Sequence, residues 1–189
     1  MDHNSRIMNH ENSYICLMAI EHNGMRPQDI VVLLKIVAVG HQGWQSKDLA
    51  AELFLSPAEI SYSLHRSDAG RLIDYFQSKT VYRQALMEFI EHGLPYVFPA
   101  MPGTMVNGVY TAHSHPFMQK HFSSELNYAW PYPKGEVRGL AIKPLYPGQV
   151  KAALGDPKLY LMLALLDVIR VGRVREMKVA IEELKNQLL

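Results

Sequence analysis

The sequence predicts an α+β fold that is mainly α-helical, and three observations lead to that class. Apolar residues recur at helical spacing over residues 26–92 and again over residues 156–189. Residues 94–155 differ, because eight prolines fall between Pro95 and Pro147 among short strand-like runs. Hydrophobic residues make up 48% of the 189 residues and charged residues 20%, which is sufficient for a globular core.

The first 24 residues are polar at the outset, and we expect a tail or a short helix there. They contain no basic region followed by a long apolar run, so we expect no signal peptide. Asp167 interrupts the longest apolar run well short of the ~20 residues that a membrane span needs. The single cysteine, Cys16, cannot form an internal disulfide. We therefore expect a cytoplasmic protein without membrane contacts.

A first helix is predicted over residues 27–39. Pro27 suits the first helical position, and Asp29 lies in the first turn, where the helix dipole favours an anion. Gly40 ends this helix, and Trp44 beyond it is expected to anchor the core. The apolar stripe of the helix comprises Ile30, Leu33, Leu34 and Val37.

Two short helices are predicted next, over residues 46–53 and 57–68, with a tight break at residues 54–55. Ser56 can accept a hydrogen bond from the backbone N–H of Glu59, and the Glu59 side chain can reach back, which is a capping box. This pair of helices, with a polar outer face on the second, is typical of the helix-turn-helix of DNA-binding proteins.

The segment that follows predicts a small hairpin. Gly70 suits a left-handed cap at the end of the preceding helix. Residues 71–74 and 79–82 can then pair around residues 75–78, and a helix over residues 83–92 comes next.

Several stretches share a recognisable pattern: Ser46-Lys-Asp-Leu-Ala-Ala, Leu55-Ser56, the spacing of Ser61, Leu64 and Arg66 after Ser56, and Ala69-Gly-Arg-Leu-Ile. This pattern resembles the winged helix-turn-helix domain of bacterial regulators of the MarR type. The match covers about residues 26–82, and we assign the domain to residues 25–93. The resemblance implies a transcriptional repressor that binds DNA as a homodimer.

The second helix of a helix-turn-helix reads base edges in the major groove, and flanking polar residues contact phosphates. Arg66 suits guanine or a phosphate, and Ser61 suits either partner. The alternative is that this helix face belongs to a winged helix that binds another protein. The residues expected to contact DNA are Ser56, Ala58, Ser61, Tyr62, His65, Arg66, Arg71 and Lys79.

Residues 94–155 are predicted to form a small, irregular β-containing module that is rich in proline and aromatic residues. Short strands are expected at residues 96–98, 105–111 and 135–142. This part of the chain resembles uncharacterised bacterial proteins that carry an N-terminal winged helix.

Residues 156–189 predict two helices. Asp156 can cap the first, and Pro157 suits its first position. Gly172 allows a break before an amphipathic helix, which suits a packed core and a dimer seam. Because a buried carboxylate needs a partner, Asp167 is expected to pair with Arg170 or Arg173.

Arginines cluster around this break, at Arg170, Arg173 and Arg175. Together they suit an anion or the DNA backbone. The alternative is a partly solvated face whose arginines pair with nearby carboxylates.

The histidines His113, His115 and His121 offer a metal site as a further alternative, because two histidines two apart on a strand share one face. We favour ordinary loop or interface histidines, and we expect no cofactor. The sequence contains no phosphate-binding glycine loop, nucleophile elbow or paired-cysteine motif, which argues against an enzyme.

The charge distribution supports nucleic-acid binding only weakly. The net charge is +1, and residues 26–83 carry seven basic and six acidic residues. Dimerisation would double this electrostatic footprint. We therefore predict a homodimeric regulator of double-stranded DNA, with a protein-interaction or antitoxin-like module as the alternative.

Overall fold

The computed structural model describes residues 24–40 and 43–189. Its fold is α+β and mainly helical, in agreement with the predicted class. Nearly all of the predicted N-terminal tail, with Cys16, lies outside the described residues. No helix in the described part of the chain is long and apolar enough to cross a membrane.

The first part of the chain is a set of helices around one small hairpin. The predicted hairpin is present but short, because only Ile73 and Asp74 pair with Val81 and Thr80. The elements in order are α1 (Pro27–Val39), α2 (Ser46–Leu53), α3 (Pro57–Ala69), β1 (Ile73–Asp74), β2 (Thr80–Val81), α4 (Arg83–His92) and α5 (Leu94–Val97).

The predicted strand at residues 96–98 is wrong, because α5 occupies this segment. Pro95 lies in the first turn of α5, where a missing N–H is tolerated. Gly93 links α4 to α5 with both helices nearly continuous, and its N–H donates to the carbonyl of Phe89.

Helix α1 lies at the centre of the molecule, and every residue from Asp29 to Val37 is buried. Burial on all sides exceeds the single predicted stripe, because α1 packs against α2 and α3 and also against α8 (Pro157–Val171). The core is therefore one continuous cluster with side chains from residues 30–94 and from residues 112–188.

Three strands form a small closed sheet in the second part of the chain. Strand β3 pairs antiparallel with β4 and with β5, and β4 pairs parallel with β5. The sequence predicts β3 and β5 but not β4. The strands are β3 (Met105–Tyr110), β4 (Tyr128–Pro131) and β5 (Val137–Ala141).

Gly108 is the point at which the three strands meet, since it pairs with both Pro131 and Val137. A Cβ atom at Gly108 would lie 1.9 Å from the carbonyl oxygen of Trp130. Such a contact is impossible without moving the backbone, so the closed sheet requires glycine at this position.

The C-terminal helices agree with their predicted starts. The Asp156 side chain accepts hydrogen bonds from the backbone N–H groups of Lys158 and Leu159, which caps α8. Gly172 separates α8 from the last helix. The remaining elements are a 3-10 turn (Ala112–Ser114), α6 (Pro116–Gln119), α7 (Gln149–Gly155) and α9 (Val174–Leu188).

Helix α9 buries its apolar stripe within the same chain. Ala180, Leu184 and Leu188 are buried, and α9 packs against α8 and α4. The Arg83 guanidinium donates to the carbonyl oxygen of Leu188, and Lys185 pairs with Glu91. These contacts join α9 to α4.

Candidate functional site

The turn between α2 and α3 has the predicted local chemistry. Phe54 ends α2 in a left-handed conformation with φ of 54°. The Ser56 hydroxyl accepts a hydrogen bond from the backbone N–H of Glu59 at 3.1 Å and so caps α3. The second half of the predicted capping box is wrong. The Glu59 carboxylate instead accepts a hydrogen bond from Gln28 Nε2 and lies 3.8 Å from Arg26 Nη1.

Helix α3 has a buried face and an exposed face. Its buried side chains pack against α1 and α2, and they comprise Ile60, Ser63, Leu64 and Ser67. On the outer face, Tyr62 is 62% exposed. Ala58 and His65 are also exposed, and Ser61 is half-buried. The structure therefore brings four of the predicted contact residues together on one open surface.

Arg66 does not belong to that surface, so its predicted role as a DNA contact is wrong. Its guanidinium donates two hydrogen bonds to the Asp29 carboxylate, from Nε at 2.8 Å and from Nη2 at 2.6 Å. The Arg66 side chain is 12% exposed and that of Asp29 is 0% exposed. The hydrogen bonds that Arg66 donates to Asp29 raise the pKa of Arg66 above its ordinary value. Arg66 therefore fastens α3 to the start of α1.

The predicted left-handed cap at Gly70 is also wrong, because Gly70 has φ of −75° and the next residue makes the turn. Arg71 takes the left-handed conformation with φ of 56°, and its side chain is exposed. Lys79 is exposed at the other end of the hairpin loop, with its ammonium 5.7 Å from the centre of the Trp44 ring. These two predicted phosphate contacts thus remain accessible.

Lys35 is a buried cation that cannot contribute to a surface. Its ammonium pairs with Asp156 at 2.7 Å and also with Glu52. Burial lowers the pKa of Lys35, but the hydrogen bonds and charges of these two carboxylates outweigh burial and hold that pKa above its ordinary value. The triad joins α1, α2 and the start of α8.

Arg170 is the second arginine that is held inside the protein, and its pairing with a carboxylate is the alternative expected for it. Its guanidinium donates to Asp167 Oδ1 at 2.7 Å and to the carbonyl oxygen of Phe98 at 2.8 Å. This pairing confirms the expected partner of Asp167. The same carboxylate accepts hydrogen bonds from Thr111 and from Trp130 Nε1. Burial raises the pKa of Asp167, and these donors oppose that shift.

Arg173 and Arg175 lie at the start of α9 and are exposed. The backbone N–H of Arg173 donates to the Glu176 carboxylate at 2.9 Å. In the described part of the chain, no carboxylate lies within ion-pair distance of either guanidinium. Both therefore remain accessible to an anion, unlike Arg170.

The predicted metal-binding histidines do not converge. His113 lies in the 3-10 turn rather than on a strand, and its Nε2 is 2.8 Å from the carbonyl oxygen of Leu126. His115 Nδ1 accepts a hydrogen bond from Phe117 N–H, and burial lowers the pKa of His115 to about 4. His121 is exposed beside Phe117. Among the described residues, no group of three potential ligands could hold a metal ion.

A polar cleft of about 460 Å³ lies between this turn and the start of α9. Arg173 supplies a positive charge to the cleft, and two carboxylates supply negative charge. Such a lining suits a small polar molecule that carries both charges. The lining includes His113, Ser123, Glu125, Tyr128, Arg173 and Glu176.

Sequence reasoning missed an aromatic cluster beside α3. His65 contacts Tyr75 and Phe76 of the hairpin loop, with ring centres 5.4 Å and 5.3 Å apart. Tyr75 also stacks on Trp44 at 6.5 Å. The available signal was two adjacent aromatic residues in a loop that is otherwise polar.

Comparison with known proteins finds no match for the chain. No family model, curated protein or solved structure matches the chain.

Proposed function

We propose that the chain is a DNA-binding transcriptional regulator, a repressor that acts as a homodimer. In this proposal, α1–α3 and the β1–β2 hairpin form a winged helix-turn-helix of the MarR type. Helix α3 is the recognition helix, and the hairpin is the wing. The order of elements, the turn between α2 and α3, and the hairpin directly after α3 all support this assignment.

The open polar face of α3 is the observation that carries the proposal. Among the described residues, the side chains of Ser61, Tyr62 and His65 make no hydrogen bond to the rest of the protein. Polar groups that are exposed on a rigid helix and make no hydrogen bond within the protein are available to base edges and phosphates.

Few cations accompany this face, and their number predicts how binding depends on salt. Lys35 and Arg66 are paired with carboxylates inside the protein or at its edge, whereas Lys47, Arg71 and Lys79 are exposed. If each protomer neutralises about three phosphates, a dimer neutralises about six, and the logarithm of affinity should fall with the logarithm of salt with a slope of about −5.

The test is a titration of short random-sequence duplex DNA with the full chain at several salt concentrations. We expect a negative slope near the value above and weaker binding by Tyr62→Ala. Tyr96→Ala is the matched control, because Tyr96 is an exposed tyrosine that lies on α5 and belongs to neither α3 nor the hairpin. Binding that is absent, or that does not respond to salt, would contradict the proposal.

The second candidate is a protein-interaction or antitoxin-like module, and a group of exposed apolar side chains outside α3 favours it. Tyr96 is 84% exposed and Met101 is 85% exposed, with Val97 and Met105 also exposed nearby in sequence. Large exposed apolar groups are common where proteins dock. This candidate predicts that the protein does not bind duplex DNA and that Tyr62→Ala gives the same titration result as the wild type.

A further inference from the structure

The loop between β1 and β2 presents a large apolar side chain to solvent. Phe76 is 67% exposed. The loop is nevertheless ordered by Asp74, whose carboxylate accepts hydrogen bonds from the backbone N–H groups of Gln77 and Ser78 and from the Ser78 hydroxyl. The bonds from Ser78 lower the pKa of Asp74. Phe76 is therefore displayed by a turn with a defined shape.

The start and the end of this loop are also attached to the body of the protein. The backbone N–H of Tyr75 donates to Asp68 Oδ1 at 2.9 Å, which ties the loop to α3. Trp44 Nε1 donates to the carbonyl oxygen of Lys79 at 3.3 Å. A loop with both ends attached loses little further conformational entropy when it binds a partner.

Phe76 lies on the same side of the molecule as the open face of α3. Its ring centre is 5.3 Å from that of His65 and 5.1 Å from that of Tyr75. A partner that occupies the face of α3 therefore also meets the Phe76 ring.

The charges near the loop indicate the kind of contact that this ring can make. The loop side chains Tyr75, Phe76, Gln77 and Ser78 carry no charge, the exposed cation Arg71 precedes β1, and the exposed cation Lys79 ends the loop. The Asp74 carboxylate at the start of the loop is occupied by hydrogen bonds from Gln77 and Ser78. The two cations suit phosphates. The uncharged side chains between them suit an apolar or stacking contact, which the bases of a duplex can provide.

We propose that Phe76 inserts as a wedge between two stacked base pairs, in the minor groove next to the major groove that α3 occupies. This inference rests on the proposed function. Apolar side chains inserted in this way unstack one base step and kink the duplex. Because pyrimidine–purine steps unstack most easily, the wedge makes the protein prefer a TA step at a position where it reads no base edge.

The experiment uses the full chain and two short duplexes that differ in one central segment. One carries a TA step with 2-aminopurine in place of its adenine, and the other carries the same probe within a stiff A-tract. We expect the probe fluorescence to rise when the wild-type protein binds the TA duplex and to change less with the A-tract. Wild-type affinity should be higher for the TA duplex.

Variants at position 76 isolate the wedge. Phe76→Ala should lose the fluorescence rise and bind the TA duplex about tenfold or more weakly, since stacking of a base on an aromatic ring contributes at that level. Phe76→Leu should keep part of both, because leucine also serves as a wedge. Tyr96→Ala should match the wild type. Since Phe76 is exposed, all variants should unfold at the same urea concentration as the wild type.

The outcomes separate the two proposals. Tight duplex binding with no fluorescence rise, or with Phe76→Ala equal to the wild type, overturns the wedge and leaves DNA binding intact. If the wild-type protein binds neither duplex, the proposed function and the wedge both fail.

Discussion

Replacing Arg66 by alanine should destabilise the fold rather than merely weaken a surface contact. The substitution removes two short hydrogen bonds, at 2.8 Å and 2.6 Å, from a carboxylate that is fully buried. Breaking a buried pair from one side leaves an uncompensated charge and typically costs about 3–5 kcal/mol. Among the described residues, Asp29 keeps one other donor, the backbone N–H of Arg26, which is too little to solvate it.

That loss is a large part of the free energy of unfolding expected for a domain, which is about 5–15 kcal/mol. Urea denaturation followed by circular dichroism measures it as a lower midpoint with an unchanged slope. Arg71→Ala is the matched control, because Arg71 is an exposed arginine just beyond the same helix. It should change the free energy of unfolding by about 0.5 kcal/mol or less.

The conservative variant tests the geometry of the pair. Arg66→Lys keeps the positive charge but loses the planar fork that donates to both Asp29 oxygens. Its stability should fall between those of the wild type and Arg66→Ala. If Arg66→Ala lowered the free energy of unfolding by less than about 1 kcal/mol, the reasoning would be refuted, because a buried carboxylate that loses its partner costs more than that.

Two other predictions concern protonation and backbone packing. His115 has a pKa lowered to about 4, so the unfolded chain binds its proton at a higher pH than the folded chain does. The free energy of unfolding should keep its full value above pH ~6.5 and should fall by about 3 kcal/mol as the pH approaches 4. This fall is measured relative to His115→Asn across the same pH range. Gly108→Ala should disrupt the three-stranded sheet, while Gly155→Ala, whose Cβ would meet nothing within 4 Å, should leave the thermal midpoint nearly unchanged. Equal midpoints for the two alanine variants would contradict the role of Gly108.

Elements with local signals were predictable from the sequence. Ser56 caps α3, Asp156 caps α8, and Gly172 marks the break before α9, as expected. Each of these features depends on side chains within a few residues of the backbone groups that they satisfy. Such chemistry is visible in a short window of sequence.

Features that depend on distant residues were not predictable. Arg66 looked like a DNA contact because its partner, Asp29, lies 37 residues away. Strand β4 has Trp130 at its centre and exists because β3 and β5 are there to pair with it. The outer face of α3 was predicted correctly in part, since an open helix face is defined by its own periodicity.

Helix α1 contacts residues that are far apart in the sequence, and these contacts limit which parts of this protein could be joined to another protein. Lys35 joins α1 to Glu52 and to Asp156, which lie 104 residues apart in sequence and in different predicted segments. A fragment that ends at residue 93 would expose the α1 surface that α8 covers and would leave this lysine with Glu52 as its partner but without Asp156. The helices proposed to bind DNA therefore cannot be moved into another protein on their own. A chimera would need to include α8 as well.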